Sequence, residues 1–303
     1  MILGEPIILG GGGGIDCVVI ITTDPSAVVT CSLGNTSISK TANADGKAAF
    51  ELKKAGVWTV TASHNGETVS KEIDTSLSLE TELAFADPIL ENNTWEQISK
   101  IARSGKASQV WNVGDTKQIT VNGKTYNAQI IGFDHDNVTD SASYGREKAG
   151  ITFQFGEIYS NEKWANTNPW HGSSLRTTTM ANILSKMDDC KNYIVPVNKI
   201  SMTAYNHASE TIVSDSLFLL SEGEIFGTLT YCGITEGSQY AFYAAGNSKL
   251  KKFDGTVLTW WTRSGQYGTK SSYASKRVYV STGGTVSLND YSYSSGIDPA
   301  FCI

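Results

Sequence analysis

The densest run of chemically capable side chains is Asp134-His135-Asp136-Asn137, with Asp140 close behind. Carboxylates at alternate positions offer hard oxygen ligands, so Asp134, Asp136 and Asp140 are the candidate ligands for a Ca2+ ion. The spacing departs from the helix–loop–helix calcium loop. Counted from Asp134, the sixth position is Thr139 where glycine is needed, and the twelfth is Gly145 where a bidentate glutamate is needed. The competing reading is a polar turn whose aspartates cap backbone amides. His64, His135, His171 and His207 stand singly, without the His-x-x-x-His pair of a zinc hydrolase. A Gly-x-Ser-x-Gly elbow and a phosphate-binding loop are also missing from the sequence. The five cysteines, Cys17, Cys31, Cys190, Cys232 and Cys302, include no Cys-x-x-Cys pair, which argues against a zinc ribbon. They are expected to be free, buried thiols of a protein made in a reducing cytoplasm, with Cys17 and Cys31 the pair to check for a bond.

The second concentration of useful side chains is aromatic. Residues 253–303 hold nine aromatics in 51 positions against 10% for the chain, and the tyrosines among them sit between Ser, Gly, Asn and Asp. Tyrosine offers rigid contact area and its small polar neighbours adaptable hydrogen bonds, the composition of a recognition surface. Tyr267, Tyr273, Tyr291 and Tyr293 are the candidate ligand-binding residues, while Trp260, Trp261 and Phe301 are expected in the core. The alternative for the whole stretch is an ordinary loop-rich core.

These side chains must be held by strands. Residues 16–85 read as short strands punctuated by turn residues: Asp16–Thr22, Val28–Leu33 ending at Gly34-Asn35, Thr36–Ala42, Lys47–Leu52, Val57–Ser63 and Glu67–Asp74, with a hairpin signal at Asn65-Gly66. This spacing suggests a β-sandwich with Phe50, Leu52, Trp58 and Val60 inward. A linker, 86–93, surrounds Asp87-Pro88. Thr94 and Gln97 then form a capping box for a helix on which Trp95, Ile98, Ile101 and Ala102 share one face and which stops at Gly105. A hairpin follows, Lys117–Val121 and Lys124–Phe133 about Asn122-Gly123, and a second helix is expected over Ser174–Met187. From Lys191 onward the pattern is irregular and strand-like. Trp260-Trp261 and Arg277–Val280 read as paired late strands, with one Trp in the core and its neighbour on the opposite face. Arg176 and Arg263 are expected to hydrogen-bond loop carbonyls from inside.

Charge is uneven. Residues 1–90 carry five basic and eleven acidic residues, and the remainder is balanced at nineteen of each. Neither part has the basic surplus that phosphate backbones require, so no nucleic-acid partner is expected. Residues 1–15 read as an extended N-terminal arm with Ile2, Leu3, Ile7, Ile8 and Leu9 as candidate assembly residues, followed by a glycine joint. The opening is too interrupted for a membrane span, and its first basic residue is Lys40, so no signal peptide is expected.

Two resemblances add to this reading. The run Asp45-Gly46-Lys-Ala-Ala-Phe50-Glu-Leu52 with Gly56-Val-Trp58-Thr-Val60 resembles the Ig-like modules of bacterial surface proteins and phage tails. Over 94–303 the set Trp111-Asn-Val-Gly114-Asp115, Ile130–Asp136, Gly150-Ile-Thr-Phe153, Ser174-Leu-Arg176, Ile194–Lys199, Leu217–Glu222, Trp260-Trp-Thr-Arg263-Ser264 and Gly296–Ile303 resembles a family of unknown function from Gram-positive bacteria and their phages. Its closing elements resemble C-type-lectin-like domains, including the formylglycine-generating-enzyme branch. The fold class implied is mostly β with an α+β second domain: an Ig-like β-sandwich followed by a C-type-lectin-like domain, with two helices around a small antiparallel sheet. That enzyme branch relies on a reactive cysteine pair, whereas Cys232 and Cys302 stand far apart here, so catalysis does not carry over. The expectation is a phage virion accessory protein, a tail or baseplate receptor-binding component, with a capsid decoration protein or a bacterial surface adhesin as alternatives. The partners expected are other virion subunits through the arm, a host surface polysaccharide, and further copies of the chain.

Overall fold

Alternation of apolar and polar residues, broken by Gly and Asn where φ must turn positive, builds the first part of the chain. The computed structural model describes residues 17–83, 86–164, 166, 168–205 and 207–303. The expected arm and its candidate assembly residues lie outside them. The chain divides after Ala86 into two compact units.

Unit 1 contains β1 (Cys17–Thr22), β2 (Val28–Leu33), β3 (Thr36–Thr41), β4 (Lys47–Leu52), β5 (Val57–His64), β6 (Glu67–Asp74) and β7 (Glu80–Glu82). They form two sheets, ordered β4-β1-β7 and β3-β2-β5-β6. Strand β4 buries Ala48, Phe50 and Leu52, and β5 buries Trp58, Val60 and Ala62. Together with Val19, Ile21, Val29 and Cys31 these make one core. At the Asn65-Gly66 turn both φ angles are positive, 49° and 87°, so the turn twists with the strands it joins. Gly46 is required for a second reason: a Cβ there would lie 2.1 Å from the Thr23 carbonyl oxygen. Strand β7 pairs parallel with β1 and was not expected, because Glu-Thr-Glu carries almost no apolar signal.

Unit 2 opens with the helix Trp95–Ser104. Thr94 and Gln97 form the reciprocal capping box, and Gly105 ends the helix in a left-handed conformation. Its buried face places Trp95 against Phe153 and Phe301, with ring centroids 5.5 and 6.2 Å away. The strands that follow are β8 (Thr116–Val121), β9 (Lys124–Phe133), β10 (Ile151–Phe155), β11 (Ser160–Lys163), β12 (Val197–Ala204), β13 (His207–Asp215), β14 (Leu217–Phe218), β15 (Lys251–Phe253), β16 (Thr256–Leu258), β17 (Trp260–Gly265), β18 (Lys276–Val280), β19 (Val286–Asp290), β20 (Ser294–Ile297) and β21 (Ala300–Cys302). One five-stranded sheet has the order β14-β21-β10-β9-β8 and another β11-β20-β17-β18-β19, while β12-β13 and β15-β16 are hairpins. The single small antiparallel sheet implied by the resemblance is therefore exceeded, and β17 and β20 pair in parallel. The expected second helix runs as a π-helical turn, Leu175–Met180, continued by the α-helix Ala181–Lys186.

Strands β10, β17 and β21 are buried at every position, so both faces of each sheet are covered where these strands run. Trp260 and Trp261 consequently both lie in the interior, on opposite faces of β17, and each indole N–H reaches a carbonyl: Lys249 at 2.9 Å and Glu162 at 3.0 Å.

Candidate functional site

The five cysteines are free and buried, Cys17 and Cys31 included. The three aspartates proposed as calcium ligands serve three different partners. Asp134 closes β9 with a positive φ of 48° and accepts from Arg146 Nη2 at 2.8 Å. Asp136, two residues on, is buried and bonded to Lys199, Tyr240 and Thr152. Asp140 caps the short helix Ser141–Tyr144 through the Ser143 amide. Among the described residues, no three His, Cys, Asp or Glu side chains converge as a metal cage. The strand ends at Phe133 and Asp134 turns left-handed, so the same-face alternation of a strand does not extend over Asp134 and Asp136. His135 between them stacks on Tyr240 with centroids 4.0 Å apart, and burial pulls its imidazole below the usual range.

The four candidate tyrosines come from two loops at one end of the sheet containing β17, β18 and β19. Lys276 pairs with Asp290 at the end of the β18–β19 ladder, and the Tyr291 amide donates to the Ser275 carbonyl at 2.8 Å, so the two loops lie side by side. Tyr267 is 39% exposed and Tyr293 61% exposed, while Tyr273 and Tyr291 are half-buried. Glycines make room for the first loop. A Cβ on Gly233 would lie 2.3 Å from Tyr267 Cγ, and one on Gly268 would lie 2.2 Å from Tyr273 Cδ2. The Tyr267 amide donates to the Tyr231 carbonyl and the Gly268 amide to the Tyr205 carbonyl, both at 2.9 Å.

Arg277 underpins this end. Its guanidinium lies 4.2 Å from the Tyr205 ring centre, 5.2 Å from Trp164 and 5.9 Å from Tyr291. It donates to the carbonyls of Ala274 and Lys276 at 2.9 Å, and its Nε has no hydrogen-bond partner among the described residues. Burial lowers its pKa from the usual arginine value. The result is a loop platform held by carbonyl contacts and ring stacking, with two tyrosines facing solvent.

Beneath the surface, unit 2 contains a polar cluster that sequence reasoning left unassembled. Lys199 occupies an inward position of β12. Its Nζ donates to Asp136 Oδ1, to Glu224 Oε1 at 3.0 Å and to the Tyr240 hydroxyl at 2.9 Å. Glu224 closes a second capping box, with Ser221, at the start of the helix Glu222–Phe226. Arg263, on β17, holds both Glu224 oxygens, at 2.5 and 2.9 Å, and also donates to the carbonyls of Leu219, Ile200 and Glu236. Glu236 accepts from the Ser264 hydroxyl and the Met202 amide. Glu222 gathers the backbone amides of Thr230, Tyr231 and Cys232, fixing the loop whose Tyr231 carbonyl holds Tyr267. Burial pushes Asp136 and Glu224 upward, but the cations beside them outweigh it and hold both carboxyls below the usual range. Glu236 is shifted the other way, raised by burial.

A smaller knot joins residues far apart in sequence. Asp298 Oδ2 accepts from Gln154 at 2.6 Å and lies 3.3 Å from Lys251 Nζ, and the Tyr243 hydroxyl donates to Gln154 at 2.6 Å. Burial pushes the Asp298 carboxyl up to about 7. In unit 1, an open cleft is floored by Leu33, Ile38 and Trp58 and rimmed by Glu51, Lys53 and Lys54.

Arg263 and Arg176 do bind carbonyls between strands, Arg263 at Leu219 and Arg176 at His171; Arg176 also reaches the β13 carbonyl of Ser214, and each binds a carboxylate, Glu224 and Asp215 respectively. The signal for the Lys199 cluster was present but diffuse. A charged residue stands on the inward phase of Val197-Asn-Lys199-Ile-Ser201, and Ser221-x-x-Glu224 is a capping box set between two strands.

A family model described as a domain of unknown function (DUF6273) matches residues 146–303, just over half of the chain. The match spans Lys199, Glu224, Arg263 and the four tyrosines and begins after Asp136. No curated protein and no solved structure matched the chain.

Proposed function

We propose, from the premise that this chain belongs to the DUF6273 family, that it is a non-catalytic recognition protein of a phage virion, a tail or baseplate component that contacts a polysaccharide on the host surface. The observation that carries this reading is the pair of solvent-facing tyrosines, Tyr267 and Tyr293, on adjoining loops fixed by Arg277 and the Tyr291–Ser275 bond. Sugar rings stack their C–H faces on such side chains, and Ser, Asn and Asp groups nearby can hydrogen-bond the hydroxyls. Loops on a rigid scaffold are where recognition is usually built. The cations and carboxylates of the Lys199 cluster are buried, out of reach of a substrate in solution. That burial favours binding over turnover.

In this proposal unit 1 is an Ig-like spacer, supported by the arrangement of β1–β7 in two sheets and the apolar core between Val19, Phe50 and Trp58 among its described residues. Unit 2 is a lectin-like domain, and residues 1–15 attach the chain to other virion subunits. The test uses the labelled full chain with a panel of intact Gram-positive cells and the same cells stripped of wall polysaccharide. Co-sedimentation with intact cells only supports the reading. Equal co-sedimentation with stripped cells, or none across the panel, overturns it.

A further inference from the structure

The contact between Lys199 and Asp136 has the makings of a covalent bond. Both side chains are interior, 2% and 5% exposed, and the amine nitrogen is pressed against Asp136 Oδ1. The Phe218 ring centre lies 3.8 Å from Nζ, closing the site with an apolar wall. Glu224 Oε1 is 3.0 Å from the same nitrogen. The Tyr240 hydroxyl reaches Asp136 Oδ2 at 2.8 Å and Oδ1 at 3.1 Å, and Thr152 Oγ1 donates to Oδ2 at 2.7 Å.

We propose that Lys199 and Asp136 join spontaneously in an isopeptide bond, with Glu224 relaying the proton. The fixed juxtaposition replaces a bimolecular encounter, the largest obstacle to amide formation between free amine and acid. One proton first passes from the ammonium to the Asp136 carboxylate, giving a neutral amine and a neutral acid. Nζ attacks Asp136 Cγ and forms the C–N bond, while the Tyr240 and Thr152 hydroxyls steady the charge that gathers on oxygen. Glu224 takes a second proton from the nitrogen and delivers it to the departing hydroxyl. The C–O bond breaks and one water leaves. The amide keeps the third proton, and Glu224 returns to its carboxylate form.

Charge balance favours the product. Before the step, Asp136 and Glu224 face Lys199 and Arg263. Afterwards Glu224 and Arg263 still pair, at 2.5 and 2.9 Å. One buried ion pair has then been exchanged for a neutral amide, which removes its desolvation cost. Burial alone pushes Asp136 up and Lys199 down, toward the neutral forms that react, although their mutual attraction keeps the resting pair charged. The bond would tie β12 to the loop after β9, across 63 positions of sequence, and no reducing agent would open it.

The test is the intact mass of the denatured full chain, followed by a tryptic digest. The chain is expected to be lighter than its sequence by one water, about 18 Da, the balance of the amine–carboxyl condensation. The digest should contain a branched species joining 125–146 to 192–249, with no cleavage after Lys199. Lys199→Arg and Asp136→Ala should both carry the full mass. Asp136→Asn, if it reacts, should lose ammonia instead. Because the wild-type mass is itself decisive, misfolding of a variant does not shelter the proposal. Full sequence mass in the wild-type chain overturns it. So does a water loss that the digest assigns to an Asp–Gly pair, Asp45-Gly46 or Asp254-Gly255, which can dehydrate by cyclising on its own backbone.

Discussion

Replacing Arg263 by Met should cripple unit 2 while leaving its outer surface untouched. The side chain is buried and serves five acceptors: the two oxygens of Glu224 and the carbonyls of Leu219, Ile200 and Glu236. Met fills similar volume, so little of the loss comes from a cavity. What remains is a buried glutamate stripped of its bidentate partner and three carbonyls that each lose a donor. Breaking a buried pair from one side costs about 3–5 kcal/mol. For a domain of this size each kcal/mol lowers the midpoint by about 2–4 °C, so the expected fall is about 6–20 °C. Differential scanning calorimetry of the full chain reads it directly. Lys124→Met, which breaks the exposed pair with Asp254, is the control and should barely move the midpoint. An Arg263→Met midpoint indistinguishable from that control would refute the reasoning, since it would mean that Glu224 is either protonated or solvated in the folded protein.

Three further outcomes are expected. Trp58→Ala empties the centre of unit 1 and should cost about 3–5 kcal/mol there; calorimetry should show one transition lowered and the other unchanged, and a joint shift would contradict independent folding. Asp298, its pKa raised by burial to about 7, binds a proton in the folded chain that the unfolded chain has already released. Its stabilising contribution is therefore complete below about pH 4 and is lost as pH rises toward 7, at about 1.4 kcal/mol per pH unit; in urea titrations Asp298→Asn should remove this component of the slope, and identical slopes would count against it. Gly265→Ala places a Cβ 1.9 Å from Tyr205 Cε1 and so must displace the ring on which Arg277 stacks. The expected result is a lower midpoint together with a changed tyrosine near-ultraviolet signal, and an unchanged spectrum would argue that the platform is not built on that stack.

Local rules carried the sequence reading a long way and then stopped for a physical reason. Strand β4 alternates cleanly and Asn65-Gly66 must turn left-handed, so unit 1 was legible nearly residue by residue. Thr94, Gln97 and Gly105 mark both ends of their helix for the same reason. Strand β7 escaped because three residues pairing with a distant strand leave no periodicity to read. Trp260-Trp261 was expected to split between core and the opposite face, and it does. Sequence did not reveal that the opposite face is also covered, since that depends on which elements pack over it. The Asp134–Asp140 run looked like one site because its carboxylates are close in sequence, whereas partners 3 to 104 positions away divide them. Lys199, Glu224 and Arg263 show the converse: each looked ordinary locally, and only the tertiary fold brings them into contact.

The central claim is that the tyrosine loops beside β17, β18 and β19 bind polysaccharide. Titration calorimetry of a purified wall polysaccharide that the full chain retains, into wild type and into the Tyr267→Ala, Tyr293→Ala double variant, tests it most directly. Both side chains are exposed, where stability changes are usually within about 0.5 kcal/mol, so the variant should melt like wild type. The account predicts a folded variant whose heat of binding is lost or whose affinity falls at least about tenfold, about 1.4 kcal/mol. An equally folded variant that binds with wild-type affinity would contradict it.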